Sequence, residues 1–318
     1  LPYTLARLRA QEAALIQYSE QSPERRRQAA SDLHRVANAR KAFSGQLQGL
    51  LDPKIIEQKK AAERELVGKT GVLILTPMGL HLDPPIAIGP PWVAVAEAHK
   101  RLLTFEKDYL LLERGDAFSS DLFAFARHVV RMADELPKKN PDRLREYRDS
   151  NLDSLKLQLF SPAPLYPDLE RQKLQTSLTF LAETLGGEHP VVVKALAGQN
   201  PANRAAELVA GTKLFDVPER KRLVDGGATA VAASADSLVK LAALVDADAR
   251  ALRKRYEEEV EEPERQAYAE IAKARFAAFG KGVAPDATFT LRIAFGTAKG
   301  YDVDGATLPF HTTFGGAY

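Results

Sequence analysis

The 318 residues contain no cysteine. That excludes a disulfide framework and thiolate zinc sites within this segment, and it leaves the redox compartment open. Nor does one sign of charge dominate. There are 44 Lys and Arg against 42 Asp and Glu, a formal net charge of +2. A dedicated nucleic-acid binder concentrates basic charge, so nucleic acid is not an expected partner. No long apolar run exists. The most apolar stretch, Gly71–Ile88, holds His81, Asp83 and three prolines, and it cannot cross a membrane as a helix. Residues 1–30 carry no signal-peptide pattern. Because Leu1 is not a start methionine, this says nothing about export.

Motif chemistry is also missing. The nucleophile elbow, the P-loop, the dinucleotide fingerprint, the H-E-x-x-H zinc motif and the calcium loop are all absent. The six histidines (34, 81, 99, 128, 189 and 311) are scattered, with no two at ligand spacing. No metal site and no cofactor is therefore expected. His128 reads as an ordinary helix residue, and His189-Pro190 as a helix start. His81, in Gly79-Leu80-His81-Leu82-Asp83, reads as a loop histidine, although a nearby Asp makes it tempting as a base. The acidic run Glu257–Glu262, after Arg253-Lys254-Arg255, reads as a solvated helix face with internal pairing. Arg143–Arg148 reads the same way, with anion binding as the alternative.

What is present is helix. Residues 3–20 have helical spacing. Ser22-Pro23-Glu24 is a helix start, with Ser as N-cap and Pro at the first position. The helix that follows runs to about Leu51. Its stripe Ala29, Leu33, Val36, Phe43, Leu47 and Leu50 is one buried face. His34, Asn38, Lys41 and Gly45 lie on another. Asp52-Pro53 opens the next helix, to about Val67. Gly68–Pro91 has little charge and no period, and reads as an irregular loop. Helices are predicted over Trp92–Arg114, Ser120–Leu136 (stripe Leu122, Phe125, Val129, Ala133, Leu136), Asn140–Phe160 and Leu169–Leu185. Further ones cover Pro190–Ala197, Pro201–Ala210, Asp216–Val224 and Ser234–Phe279. Pro263 should kink or break the last of these, at a cost of about 3 kcal/mol in a straight helix.

The pattern changes after Pro285. Apolar and polar residues alternate through Thr288–Phe295, with Phe289, Leu291, Ile293 and Phe295 on one face. That is a half-buried strand. Gly296 and Gly300 punctuate a turn or bulge, and Leu308–Phe314 is a second predicted strand. The expected fold class is mostly α with a C-terminal β segment. The expected domains are a helical body at 1–281 and a partial β segment at 282–318. We expect the chain to be a piece of a larger protein, with the apolar strand face sticky when expressed alone.

The stretch Pro285–Arg292, with Phe295-Gly296-Thr297 and Lys299-Gly300-Tyr301 behind it, resembles a signature of the dipeptidyl-peptidase 7/11 family of serine exopeptidases. Similar pieces occur upstream in the same order as in the family. They are Arg143–Asp149, Phe160–Tyr166, Arg220–Gly227, Lys273–Phe276, and the Asn-x-x-Lys-x-x-x-Gly pattern of Asn38, Lys41 and Gly45. The resemblance implies a chymotrypsin-like double β-barrel with this helical domain inserted in it. It also implies a Ser-His-Asp triad that releases dipeptides from free N-termini, with His and Asp before Leu1 and Ser after Tyr318. No triad residue is assigned within the chain. One position carries over: an Asn on an inserted helix that hydrogen-bonds substrate backbone, matched here by Asn38. From the residues alone, Asn38 reads equally as a solvated helix residue. Gly68–Pro91 departs from the family, and a loop insertion or a translated frameshift accounts for it.

The expected function is thus that of a helical domain covering the cleft of a serine-type dipeptidyl aminopeptidase. Its partners would be peptides with a free N-terminus. A homodimer and a periplasmic or cell-surface location are implied by the resemblance alone. The isolated chain should be inactive on dipeptidyl fluorogenic substrates. The alternatives are a non-enzymatic helical interaction domain and a paralogue without a triad.

Overall fold

Proline opens helix after helix, because its fixed φ and missing N–H suit the first turn. In the computed structural model, which describes residues 1–70, 91–280, 296–303 and 305–311, α1 (Pro2–Ser19), α2 (Pro23–Leu51), α3 (Pro53–Thr70) and α4 (Pro91–Leu103) all begin on it. Ser22 caps α2 through the Arg25 N–H at 3.1 Å, and the Asp52 carboxylate takes the Lys54 N–H at 2.9 Å. The chain divides into two units, Leu1–Ala278 and Phe279–Tyr318. The predicted strand Thr288–Phe295, His81 and most of Gly68–Pro91 lie outside the described residues.

After α4 the helix breaks at Thr104-Phe105, and α5 (Glu106–Asp108) runs into a π-turn at Tyr109–Glu113. Then come α6 (Asp121–Glu135), α7 (Asp149–Leu159), α8 (Pro167–Leu185), α9 (Pro190–Leu196) and α10 (Pro201–Ala210). Next are α11 (Val217–Ala232) and α12 (Ser237–Tyr256), then a second π-turn at Glu257–Glu261 and α13 (Glu262–Phe279), whose last residue is the first of the second unit. The main core lies among α6, α8 and α12 with α9, α10 and α11; Leu122, Leu174, Leu181, Leu208 and Leu241 are in it. A second cluster joins α1 to α2 and Leu169 of α8.

Three departures from regular helix have local causes. The helix expected from Asn140 is two 3-10 turns, Asn140–Asp142 and Arg145–Tyr147, before α7 begins. Side chains hold this segment open: the Glu135 carboxylate takes the Leu144 N–H at 2.7 Å, and Arg143 donates to the carbonyls of Lys138 and Leu136. In α11, Gly227 sits at φ +55 and splits the helix near the expected end. Around Pro263 there is no break but a π-turn just ahead of it. A proline clashes with the carbonyl four residues back and offers it no N–H, and a widened turn relieves both problems.

Arg220, in α11, ties that helix to the end of α7 and to the proline-rich stretch Ser161–Pro167 that follows it. The residue is 1% exposed. It donates to the carbonyls of Leu159 (2.6 Å), Ser161 (3.2 Å) and Phe215 (3.3 Å) and lies 4.6 Å from the Phe125 ring centre. Two of the segments with family resemblance, Phe160–Tyr166 and Arg220–Gly227, are thus stitched together by one side chain. Arg220→Met keeps bulk but strands buried acceptors. We expect it to lower the unfolding free energy by about 2 kcal/mol, and a urea midpoint equal to wild type contradicts this.

In the second unit, β1 (Tyr301–Val303) and β2 (Ala306–Leu308) form an antiparallel hairpin with Tyr301 opposite Leu308. Gly300 is needed there, because a Cβ on it would lie 2.2 Å from the Leu308 carbonyl oxygen. Of the predicted second strand, Leu308 alone is in β2; residues 309–311 are not strand, and 312–314 lie outside the described residues.

Candidate functional site

Packing on one side of α2 fixes what its other side presents. Ala29 and Val36 are buried and Leu33 and Phe43 half-buried, so the predicted stripe holds in the first two-thirds of the helix. Beyond that it runs out of partners: Leu50 and Leu51 are 58% and 70% exposed. Polar contacts lock the same part in place. Arg25 pairs with Asp168 at 3.0 Å, Lys173 with Asp32 at 3.3 Å, and Arg40 with Glu12 of α1. Asn38 lies two residues from Arg40 and about 200° around the helix from Val36. It is exposed to solvent, as are His34, Lys41 and Gly45. Its Nδ2 is 2.8 Å from His34 Nε2. The amide oxygen remains able to accept from a donor outside.

A second concentration of chemistry lies where α6 meets α12. Arg131 of α6 is 2% exposed. It holds Glu113 with both terminal nitrogens, at 3.0 and 2.5 Å, and donates through Nε to Asp246 at 2.6 Å. Burial pulls its pKa down, but these hydrogen bonds and charges hold it above the ordinary value. Arg250 bridges Asp246 and Glu135 at 2.6 and 2.5 Å. Burial pushes the Glu135 carboxyl up, yet donors from Lys138, Arg250 and the Leu144 N–H bring it to about 2. Arg253 binds Glu146 at 2.8 Å and Glu257 at 2.7 Å. A cleft of about 680 Å³ opens beside this network. Another, of about 350 Å³, lies among α1, α2, α6 and α8.

The structure gives most of the singled-out residues a structural use. Within Arg143–Arg148, Glu146 holds Arg253, Tyr147 is buried against His128 (hydroxyl to Nδ1, 3.1 Å), and Arg143 and Arg148 bind backbone carbonyls. His189 caps α9 through the Val191 N–H at 3.3 Å. Asn38 meets His34, whereas Arg131 meets Glu113 and Asp246, so the two lie in separate networks among the described residues. Arg114 and Arg127, which line both clefts, were not singled out by sequence. No local pattern marks them, since their setting is made by residues far along the chain. Among the described residues no group of three or more His, Asp or Glu could hold a metal ion. Among the same residues no single helix is long and apolar enough to cross a membrane.

The first unit is a helical body that presents an exposed polar face on α2. Its class comes from comparison. The family model of peptidase S46 matches residues 1–318. The chain belongs to that family, and with it goes a peptidase function in general terms. No curated protein matches the chain.

Proposed function

We propose that this chain forms the helical domain of a serine-type dipeptidyl aminopeptidase, with Asn38 contacting the substrate near its free N-terminus. The observation that carries the reading is the family match over the whole chain, together with the outward-facing Asn38 on the part of α2 that α1 and α8 hold rigid. An exopeptidase needs one end of its cleft blocked, and a rigid helical body supplies a block. Asn38 can accept from the substrate's ammonium or N–H while its amide nitrogen stays on His34. The hydrolytic step would be that of a Ser-His-Asp triad in a chymotrypsin-like double barrel: Ser attack, His as general base, Asp orienting it, and donors on the oxyanion. A homodimer and a periplasmic or cell-surface location belong to the same proposal.

In the peptidase that carries this helical body, Asn38→Ala should lower kcat/KM on dipeptidyl fluorogenic substrates roughly 10- to 100-fold, the worth of one hydrogen bond to a charged group. An unchanged kcat/KM in a stably folded variant refutes the role of Asn38. Absence of dipeptide release by the wild-type enzyme refutes the proposed activity.

A further inference from the structure

Two π-turns border one cleft. The first, Tyr109–Glu113, closes on an Arg114 N–H to Tyr109 carbonyl bond of 3.0 Å. The second is Glu257–Glu261. Such turns make up well under 1% of residues in globular proteins and gather at functional sites. Here they adjoin each other. Tyr109 opens the first and Tyr256 immediately precedes the second, and their rings stack at 4.4 Å with planes 13° apart. Both tyrosines line the cleft of about 680 Å³.

The charges in this cleft are unevenly matched. Arg131 and Arg253 are spent on Glu113, Asp246, Glu146 and Glu257. Arg114, Arg127 and Arg145 also line it, and among the described residues none of the three has a carboxylate within ion-pair distance. Glu261 is the single lining carboxylate left to oppose them. Arg127 is the most telling. It is half-buried, and its Nη1 donates 2.8 Å to the carbonyl of Glu113, the last residue of the first π-turn. Burial, with Arg131 beside it, lowers its pKa, so its charge is incompletely compensated where it stands. A planar guanidinium with free donors is the group best suited to hold carboxylate or phosphate oxygens.

The geometry points to an oxyanion-binding site in this cleft, formed by Arg114, Arg127 and Arg145 beside the Tyr109–Tyr256 stack, for a small ligand bearing a carboxylate or phosphate. The site does not rest on the proposed peptidase activity, and Asn38 has no part in it. A purely structural Arg127, tethering the π-turn carbonyl, is the competing account.

Calorimetric titration of the purified chain separates the two. The probes are inorganic phosphate, N-acetylglycine and N-acetylglycinamide, the last having the same body without the charge. Saturable binding of phosphate or N-acetylglycine, with none of the amide, is expected; which of the two binds tells the phosphate source from the carboxylate source. Arg127→Gln should weaken that binding roughly tenfold or more, as loss of a charge-assisted bond does. Arg114 and Arg145 are exposed, so Arg114→Gln and Arg145→Gln will fold even if Arg127→Gln does not, and each should weaken binding several-fold. Binding of neither anion, or equal binding by wild type and the Arg114 and Arg145 variants, overturns the site.

Discussion

Arg131→Ala is expected to lower the unfolding free energy by about 3–5 kcal/mol. The guanidinium sits in the interior with Glu113 on one edge and Asp246 on the other. Truncation takes both short bonds from Glu113 and one of the two from Asp246. Arg250 still reaches Asp246 at 2.6 Å, but Arg253 reaches Glu113 only at 3.5 Å. Glu113 is 8% exposed, so water entering from the cleft it lines replaces only part of the lost contacts. The cost comes from the stranded charge and not from any large net gain of the pair, because desolvation offsets most of the attraction in a buried ion pair. That distinction can be checked. Arg131→Met combined with Glu113→Leu removes both members and should recover much of the loss in the same urea titration. A double variant as unstable as Arg131→Ala alone contradicts the stranded-charge account.

The second large effect is a loss of stability in mild acid traceable to His128. Burial, with Arg127 and Arg131 close by and Glu146 acting weakly the other way, depresses its pKa to about 4 from an ordinary 6.5. The sign follows from proton linkage. Between those values the unfolded chain binds the proton and the folded one does not, so stability falls as pH drops from about 6.5 to 4. The full shift corresponds to roughly 3 kcal/mol. Glu135 also weakens the fold in acid, but in a lower window. Its folded pKa of about 2, against an ordinary 4.5, gives stability that is present above pH 4.5 and lost below it. His128→Gln keeps a polar partner for the Tyr147 hydroxyl and removes the titrating ring. Its stability should be nearly flat from pH 6.5 to 5, where wild type slopes. Parallel curves for the two proteins contradict the assignment.

Both effects rest on what sequence could not show. The boundaries of α2 are written in Ser22-Pro23 and Asp52-Pro53, and those of α8 in Pro167 and Gly186, because caps and φ restrictions act over a few residues. The buried face of α6 was only half legible. Leu122 and Val129 lie in the core as the apolar stripe implies, but Arg131 and Glu135 are buried too, and Ala133 is not. A stripe cannot announce two buried charges whose partners, Asp246 and Arg250, come 115 residues later. The same holds for the cleft between the π-turns: Arg253–Glu262 reads as a charged helix face, and it becomes a wall only once α12 lies against α6. Asn38 was the reverse case. Its place off the apolar stripe was plain from spacing, and the structure leaves it facing outward, while the role proposed for it comes from resemblance alone.

The central claim, that this helical body serves a peptidase releasing dipeptides from free N-termini, is tested most directly by product analysis. The peptidase carrying it is incubated with a short peptide and, separately, with the same peptide N-acetylated, and the products are read by mass spectrometry. The account predicts stepwise loss of dipeptides from the free peptide and no cleavage of the acetylated one. Internal cleavage, or equal processing of both peptides, would contradict it.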